Sequence, residues 1–433
     1  MRTRPGAAAL LLWVALASIP HPATAQTAED DSVAKRSRPD FQPIGIELDD
    51  LLGSVGLLDD KTVERKDSGL SSFVVFPSFG ISGAYDSNIY LSHQDPVADK
   101  RVVYSPAVSI SSDWENHLLS VAVNANFTRF QDRSSEDTDD FQAQTSGRLD
   151  VLDDLKVSGV GGIARRHESR SAEDDPGSAF KPTVYYDTFL DTTTEYHPDA
   201  FLLRVKLNAD NQNYLNNGTI NNDTRDLTIY SVSARFGYEF TPGTTLFIEP
   251  KGDIRRFARK RDTSGLLQDN SSFGALAGIT VDTSGVTFLD FGAGVTRRNY
   301  DEPSYQSQTN LDFSGRFVWN PTDLISVTGS VGRSTAESST PGESGVLTTT
   351  YSLGLDYAFL DNIIISGGLS HVVGINQQSG RTDLDYTGNV GVKYLVNENW
   401  TANLSVVRAT RNSNIETNDY ESVVATVGLT GKL

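Results

Sequence analysis

Alternation of apolar and polar side chains is the dominant feature of this sequence, and it continues from Phe73 to the last residue. Stretches of roughly 11–15 residues follow one another, each with apolar side chains at every second position. This period of two is typical of β-strands, because successive side chains point to opposite faces of a sheet. No stretch of this region has the spacing of an amphipathic helix. The pattern predicts an all-β fold of about eighteen strands.

The connections between these predicted strands alternate between short turns and longer polar links. Short turns lie at Pro242-Gly243 and Asn320-Pro321, and long links lie at 87–100 and 169–183. Short connections at one rim and long ones at the other are typical of bacterial outer-membrane barrels, which also have an even number of strands. A soluble sandwich has no reason for this asymmetry. We therefore predict one transmembrane, antiparallel, up-and-down β-barrel over residues 73–433.

The last predicted strand, residues 420–433, indicates how the sheet ends. Val423, Ala425, Val427 and Leu429 share one parity, while mostly polar or small residues share the other. A strand at the edge of a sheet has unpaired N–H and C=O groups, which pairing with the first strand would satisfy. This favours a closed barrel, although the last strand of a soluble sandwich would show the same pattern.

The composition excludes several other classes of protein. Hydrophobic residues make up 38% of the 433 residues, close to the average for globular proteins, so the chain is not a disordered one. No window is long and apolar enough for a membrane-spanning helix in the mature chain. The sequence has no cysteine, which excludes disulfides and thiolate metal sites. A formal net charge of −19 argues against nucleic-acid binding.

The first 72 residues differ from the rest of the chain. Residues 1–25 combine Arg2 and Arg4, a short apolar run and the sequence Ala23-Thr24-Ala25, which predicts a signal peptide cleaved near Ala25-Gln26. Residues 26–72 form a polar periplasmic lead, with one short helix predicted around residues 46–58. That helix could plug the barrel or contact a partner, or it could be a tether that packs loosely at the barrel mouth.

Charged side chains share the polar parity of many predicted strands. In a barrel of about sixteen to eighteen strands, that parity faces a water-filled lumen. Rings of charge could set ion selectivity there, or neighbouring opposite charges could satisfy one another across strands, and the sequence leaves both interpretations open. The predicted lumen-lining residues are Arg148, Arg204, Lys206, Arg235, Glu239, Glu249, Lys251, Asp253, Arg255, Asp290, Arg298, Asp312, Arg316, Asp356, Asp385 and Lys393.

Aromatic residues cluster at both ends of the predicted strands. Aromatic side chains, Trp and Tyr above all, prefer the headgroup level of a membrane, so two aromatic girdles are expected. Beside the short turns lie Trp114, Tyr196, Phe201, Phe240, Trp319, Phe359 and Trp400, and at the opposite ends lie Phe130, Tyr214 and Tyr300.

A group of short motifs in residues 73–118 resembles the opening of a known family. The motifs are Phe76-Pro77-Ser78, Tyr85-Asp86-Ser87-Asn88 and Ser112-Asp113-Trp114. They resemble the type 2 outer-membrane beta-barrel porins, a family of exopolysaccharide-associated outer-membrane beta-barrel proteins. The resemblance implies an outer-membrane channel, in many members placed beside machinery for polysaccharide assembly and export. Leu433 departs from the terminal aromatic residue that is usual in outer-membrane barrels.

Residue patterns typical of enzymes and metal sites were not found in the sequence. His167 and His371 lie near the long connections, but no Ser or Asp spacing marks either one as catalytic. Acidic runs such as 136–140 could bind divalent cations together with lipopolysaccharide, although they lack the glycine and ligand spacing of a calcium loop. The sequence therefore predicts no enzyme activity, no cofactor and no bound metal.

The leading functional hypothesis is a non-enzymatic outer-membrane channel for hydrophilic solutes, with an exported polysaccharide as its cargo. A general diffusion porin for small solutes is one alternative, and a non-conducting surface or adhesion barrel is another. The expected partners are outer-membrane lipid and lipopolysaccharide, together with periplasmic polysaccharide-export components, and nucleic acid is not expected. The sequence gives no oligomeric state.

Overall fold

The computed structural model describes residues 72–172, 181–218, 220–283, 285–336, 343 and 345–432. The predicted signal peptide lies outside the described residues, as do nearly all of the polar lead and the short helix predicted at 46–58. Within the described residues, no helix is long and apolar enough to cross a membrane.

Within the described residues, eighteen β-strands form a single antiparallel sheet in which each strand pairs with its neighbours in the chain. Two single turns of 3-10 helix, Ser134–Glu136 and Glu416–Asn418, lie in the connections. In chain order the strands are β1 (Phe73–Asp86), β2 (Asp99–Ser112), β3 (Leu118–Phe130), β4 (Thr138–Leu152), β5 (Leu155–His167), β6 (Val184–Tyr196), β7 (Phe201–Tyr214), β8 (Leu227–Thr241), β9 (Thr244–Phe257), β10 (Asn270–Asp282), β11 (Thr287–Tyr300), β12 (Gln308–Thr322), β13 (Ile325–Ala336), β14 (Val346–Leu360), β15 (Ile363–Asn376), β16 (Thr382–Leu395), β17 (Trp400–Ser413) and β18 (Tyr420–Lys432).

The first and last strands close this sheet into a barrel. β18 pairs antiparallel with β1, from Ser78 opposite Lys432 to Asp86 opposite Val424. β1 also pairs with β2 along its whole length, so β1 has a partner strand on both sides. The prediction of an all-β, up-and-down barrel of about eighteen strands is therefore confirmed.

The two faces of the barrel carry side chains of different polarity. On the outer face, the large apolar side chains of Leu369, Phe201 and Val427 have exposed fractions of 65%, 63% and 62%. Ser326 and Ser366 hold the other parity and are buried on the inner face. Each strand is hydrogen-bonded to two neighbouring strands, so a closed barrel with this outer surface can lie in hydrocarbon.

Part of the inner face is open to solvent. Ser314, Arg316 and Asn403 hold the inner parity of their strands and are nevertheless exposed. Side chains therefore do not fill the whole interior, in contrast to barrels of about eight strands, whose interiors are just wide enough to be packed.

The aromatic prediction is confirmed at one end of the barrel and wrong at the other. Beside the short turns, Phe201, Trp319 and the other predicted residues are exposed on the outer face. At the loop end, however, Phe130, Tyr214 and Tyr300 hold the inner parity, and Tyr214 is buried against the ring of Tyr185. The exposed tyrosines of the outer face at this end are instead Tyr85, Tyr104, Tyr186, Tyr230, Tyr351 and Tyr386. The face on which a residue lies depends on its parity and not on its position along the strand.

Candidate functional site in the barrel interior

The inner face of the barrel consists of two walls of different chemistry. On β6–β12, which we call the charged wall, ionised side chains such as Lys206, Arg235 and Lys251 lie in the middle of the strands. On β13–β18 and β1–β5, every charged side chain of the inner face in the described residues lies within five residues of a strand end. Hydroxyl and amide side chains are common in the middle of this second wall, which we call the hydroxyl-amide wall.

Arg235 on β8 lies at the centre of the charged wall. Its Nε donates to Glu249 Oε2 at 2.6 Å, and both Nη atoms donate to the carboxylate of Asp290. The guanidinium carbon lies 3.7 Å from the centre of the Phe247 ring. Asp290 also accepts a hydrogen bond from the hydroxyl of Thr280 at 2.7 Å. These contacts connect β8, β9, β10 and β11, and they hold the guanidinium group in one orientation.

Two glycines on the inner face allow the Phe247 ring to lie close to the backbone of the neighbouring strands. Gly278 on β10 and Gly292 on β11 are directly opposite each other in the sheet. A Cβ atom at Gly278 would lie 2.5 Å from the Phe247 ring, and one at Gly292 would lie 3.2 Å from it. The ring therefore occupies space that side chains would otherwise take, and Arg235 stacks on it.

The charged wall continues towards the long loops in two further groups. Lys251 Nζ lies 2.8 Å from Asp312 Oδ2, which links β9 to β12. The carboxylate of Asp253 contacts two guanidinium groups, those of Arg255 and Arg298, each at 3.0 Å. Opposite charges on different strands thus stabilise one another, as the cross-strand interpretation of the sequence expected.

Ion pairs also lie near the short turns. Arg204 Nε donates to Glu195 Oε2 at 2.5 Å across β6 and β7, and the Glu195 side chain is nearly buried. Arg148 Nε lies 3.2 Å from Asp150 Oδ1 on the same strand, β4. Glu195 was not among the predicted lumen residues, although the parity of β6 places it on the inner face.

Three of the predicted acidic residues accept hydrogen bonds from a turn or from the neighbouring strand. Glu239 accepts a hydrogen bond from the backbone N–H of Gly243 at 2.6 Å and so closes the turn between β8 and β9. Asp356 on β14 accepts the hydroxyl of Ser366 at 2.5 Å. The carboxylate of Asp385 accepts two hydrogen bonds from Arg411 on the neighbouring strand, at 2.7 Å and 3.0 Å.

Three further predicted cations also hold the inner parity, and each has different neighbours. Lys206 on β7 lies near Arg204 and the acidic partners of Arg235. Arg316 on β12 is exposed, with its guanidinium carbon 5.8 Å from the centre of the Phe288 ring. Lys393 on β16 is opposite Asn403 on β17. A role of the predicted residues in solute passage stays a prediction.

Hydrogen bonds between neutral side chains hold parts of the hydroxyl-amide wall in place. Ser105 Oγ donates to Asn126 Oδ1 at 2.7 Å between β2 and β3. Gln142 Nε2 donates to Gln144 Oε1 at 2.8 Å along β4. Such groups can accept or donate hydrogen bonds to a solute without adding net charge.

The connection between β5 and β6 contacts other elements at the loop-side opening of the barrel. Arg411 Nη2 on β17 donates to the backbone carbonyl of Ser171, in the connection between β5 and β6, at 2.9 Å. In the same connection Arg170 makes two hydrogen bonds with Glu136, the shorter at 2.7 Å. Strands β5 and β17 are far apart around the barrel, so this connection reaches inward over the opening.

Two further contacts join distant elements at this end. Arg225, between β7 and β8, donates to both carboxylate oxygens of Glu168, which is almost completely buried. Arg255 Nη2 donates to the backbone carbonyl of Thr335 on β13 at 2.9 Å. The loop residues of these contacts were not predicted from sequence, because the partners of a loop side chain leave no periodic signal. Arg411 could have been found from the parity of β17.

The two histidines considered in the sequence have different positions. His167 Nδ1 lies 2.6 Å from Asp140 Oδ2 at the loop end of β4 and β5. His371 lies on the outer face, stacked between Tyr351 and Tyr386 with ring centres 6.0 Å and 4.3 Å away. In the part of the chain that the structure describes, no group of three or more His, Cys, Asp or Glu side chains could hold a metal ion.

The closed eighteen-stranded barrel, with its apolar outer face and polar inner face, defines the class of outer-membrane β-barrels with a porin-like fold. The chain belongs to the family described as "Putative beta-barrel porin 2", whose model matches residues 69–433. This confirms the resemblance that the motifs of residues 73–118 indicated. No curated protein matches the sequence.

The structure also matches solved structures at low similarity. OpdK of Pseudomonas aeruginosa, solved with vanillate, is 10% identical with a TM-score of 0.43, and the match covers 83% of this chain and 99% of that one. OccK2 (OpdF) of the same organism is 9% identical with a TM-score of 0.46, covering 84% and 98%. The FrpB iron transporter of Neisseria meningitidis is 13% identical with a TM-score of 0.41, covering 78% and 62%.

Proposed function

We propose that this barrel is a channel for hydroxyl-rich hydrophilic solutes and that its cargo is a polysaccharide chain leaving the periplasm. The observation that carries the proposal is the two-walled interior. A surface rich in hydroxyl and amide groups faces a wall whose charges are mostly paired with one another. A polysaccharide presents hydroxyl groups all along its length, and both walls can exchange hydrogen bonds with it.

Weak and repeated contacts suit passage better than tight binding. Conduction requires sites that a solute enters readily and leaves readily. Ser105, Asn126 and Gln144 offer single neutral hydrogen-bonding groups of this kind. Arg235 is held by Glu249 and Asp290, so its charge is largely balanced within the wall. Neutral and acidic sugars would therefore both be tolerated.

The proposal includes a cellular arrangement. A signal peptide of residues 1–25, cleaved near Ala25-Gln26, would deliver the chain to the periplasm of a Gram-negative cell. The barrel would then receive its cargo from periplasmic polysaccharide-export components at the rim of short turns. No catalytic step and no cofactor are part of this function.

Planar bilayers test the channel and its cargo class together. Folded protein, verified by heat-modifiable gel mobility, should conduct ions, and neutral glucose oligomers should interrupt the current for times that lengthen with oligomer size. Current that oligomers leave unchanged would favour a general diffusion porin for small solutes. Folded protein that carries no current would contradict the channel and favour a surface or adhesion barrel.

Direction of transport needs a cellular experiment. A deletion strain should stop secreting its surface polysaccharide and should grow normally on small solutes. Slow growth on small solutes with normal secretion would contradict export and support uptake.

A further inference from the structure

The outer face of the barrel strands is positively charged, although the chain as a whole has a formal net charge of −19. In the described strands, seven cationic side chains and two carboxylates hold the outer parity. The cations are Lys100, Arg129, Arg165, Arg256, Arg297, Arg333 and Arg408, which we call the outer cationic belt, and the carboxylates are Asp139 and Glu421. Cations therefore outnumber carboxylates on this surface, although acidic residues outnumber basic ones in the whole protein.

All these charges lie in the half of each strand that is nearer to the long loops. Lys100 is the second residue of β2, Arg256 is next to the end of β9, and Arg297 lies three residues before the end of β11. In the turn-side half of the described strands, the outer parity holds no charged residue. The belt is therefore a feature of one membrane interface only.

The tyrosines of the outer face mark the height of this belt. Tyr351 on β14 is directly opposite Val331, and Arg333 lies two residues beyond Val331 towards the loops. Tyrosines on a barrel exterior favour the headgroup level, and a charged side chain deeper in hydrocarbon would cost several kcal/mol. The belt thus lies at or just above the headgroups of the outer leaflet.

Pairing within the protein accounts for only part of the belt. Arg129 lies 2.6 Å from Asp139, and Arg408 lies 3.0 Å from Glu421. Both carboxylates of the outer face thus already have an arginine partner. Arg256 keeps an exposed side chain 3.7 Å from Asp269.

The contacts of Arg297 and Arg333 are with neutral groups. In the described residues, Arg297 Nε donates to Asn299 Oδ1 at 3.2 Å. Arg333 Nε donates to Thr349 Oγ1 at 2.8 Å, with its guanidinium 5.0 Å from the Phe313 ring centre. These two arginines lie on β11 and β13, on either side of β12. Together with Arg256 on β9, whose described ion pair is the 3.7 Å contact with Asp269, they form a group within five adjacent strands of the barrel.

We propose that the outer cationic belt binds the phosphate groups of an anionic glycolipid of the outer leaflet, with Arg256, Arg297 and Arg333 as its centre. A lipid phosphate at headgroup level meets guanidinium groups that can bind two of its oxygens at once. Basic side chains close to an anionic membrane surface each strengthen binding by roughly fivefold. The opposite interface, which lacks such side chains, faces a leaflet without this lipid.

The test measures binding of purified lipopolysaccharide to folded protein in detergent, with dephosphorylated lipopolysaccharide as the second probe. The wild-type protein should retain the phosphorylated glycolipid and should bind the dephosphorylated one at least tenfold more weakly. Equal binding of the two probes would overturn the proposal, and this comparison needs no variant.

A variant and its control then locate the site. Arg297→Gln combined with Arg333→Gln should weaken lipopolysaccharide binding by roughly 25-fold, and Arg408→Gln, whose charge Glu421 already balances, should weaken it by less than fivefold. Unchanged binding in the folded double variant would contradict the assignment. Channel conductance is measured on the same samples, so that failure of this proposal is distinguished from failure of the channel function.

Discussion

The guanidinium group of Arg235 stacks on the ring of Phe247, 3.7 Å from its centre, while Glu249 and Asp290 hold its edge. A cation over an aromatic face gains electrostatic stabilisation that increases when water is excluded. Two carboxylates and one ring therefore fix a single positive charge at the centre of the charged wall. The carboxylates of Glu249 and Asp290 in turn depend on Arg235 as their counter-charge.

Replacing Arg235 should change both ion selectivity and stability. Arg235→Gln leaves the carboxylates of Glu249 and Asp290 without their main counter-charge, so the lumen should become more cation-selective. Removing one partner of a mostly buried ion pair costs about 3–5 kcal/mol. Reversal potentials in a salt gradient measure the first effect, and urea unfolding in lipid vesicles measures the second.

Arg316→Gln is the matched control for that variant. Arg316 also holds the inner parity, but its side chain is exposed and leaves no buried carboxylate behind. We expect a shift of selectivity in the same direction with stability changed by less than about 1 kcal/mol. Equal destabilisation by the two substitutions would contradict the central position given to Arg235.

A side chain at Gly278 should displace the aromatic ring that supports Arg235. A Cβ atom there would overlap the carbonyl oxygen of Phe291 and would lie 2.5 Å from the Phe247 ring. Gly278→Ala should destabilise the barrel by about 1–3 kcal/mol, as overpacking does, and should lower the temperature of the heat-modifiable mobility shift. Gly332→Ala, also on the inner face but with no atom within 4 Å, should leave that temperature unchanged.

The sequence predicted the face of a residue much better than its partners. Alternation placed Arg235, Asp290 and Arg298 on the inner face because the opposite parity of their strands is mostly apolar. The contact between Arg235 and Asp290 joins β8 to β11, and it depends on the relative register of four strands and on the two glycines beside Phe247. No local pattern contains that information.

The sequence predictions were wrong where the alternation is interrupted and where a residue's parity was not used. The pairing of β12 with β13 shifts register between Trp319 and Thr322, so β12 continues through Asn320-Pro321, where the sequence predicted a short turn. Tyr214 was assigned to a girdle from its position at a strand end, yet its parity turns it inward. Contacts such as that of Arg411 with Ser171 arise from the path of a loop, which composition does not encode.

Breaking the contact between Arg411 and the loop carbonyl of Ser171 should widen the loop-side opening. Arg411→Gln shortens the side chain and removes the donor that reaches over the lumen, so single-channel conductance should rise by tens of per cent. Arg381→Gln is the control, because Arg381 contacts Asp383 near the same rim through its guanidinium group. The expectation would be refuted by equal conductance in the two variants.

Acid should weaken one contact between loops. The backbone N–H groups of Leu267 and Ser304 donate to the carboxylate of Glu302 and lower its pKa below the ordinary range. A lowered pKa in the folded state gives stability that is present above the ordinary carboxyl pKa and is lost as the pH falls through the folded value. The contact should therefore persist as the pH falls to the ordinary carboxyl pKa and be lost only below it.

Hydrogen exchange at the amide of Leu267 measures this contact. Corrected for intrinsic exchange rates, protection of Leu267 should stay constant from pH 7 to about pH 4 and fall only below that range. In Glu302→Gln, protection should be lower at neutral pH and should not vary with pH. Loss of protection already at pH 5 in the wild-type protein would contradict the lowered pKa.

A pair of neighbouring residues on β15 tests the assignment of the two faces. Leu369 is on the outer face near mid-height, and Ser370, the next residue, holds the inner parity. Leu369→Lys places an ionised side chain in hydrocarbon, which costs about 2–4 kcal/mol near the bilayer midplane and should lower the folded fraction in lipid vesicles. Ser370→Lys places the same charge in the lumen, so the barrel should assemble with nearly normal stability and with a shift towards anion selectivity. If both variants fold equally well, the parity that places Arg235 in the lumen and the cationic belt outside is wrong.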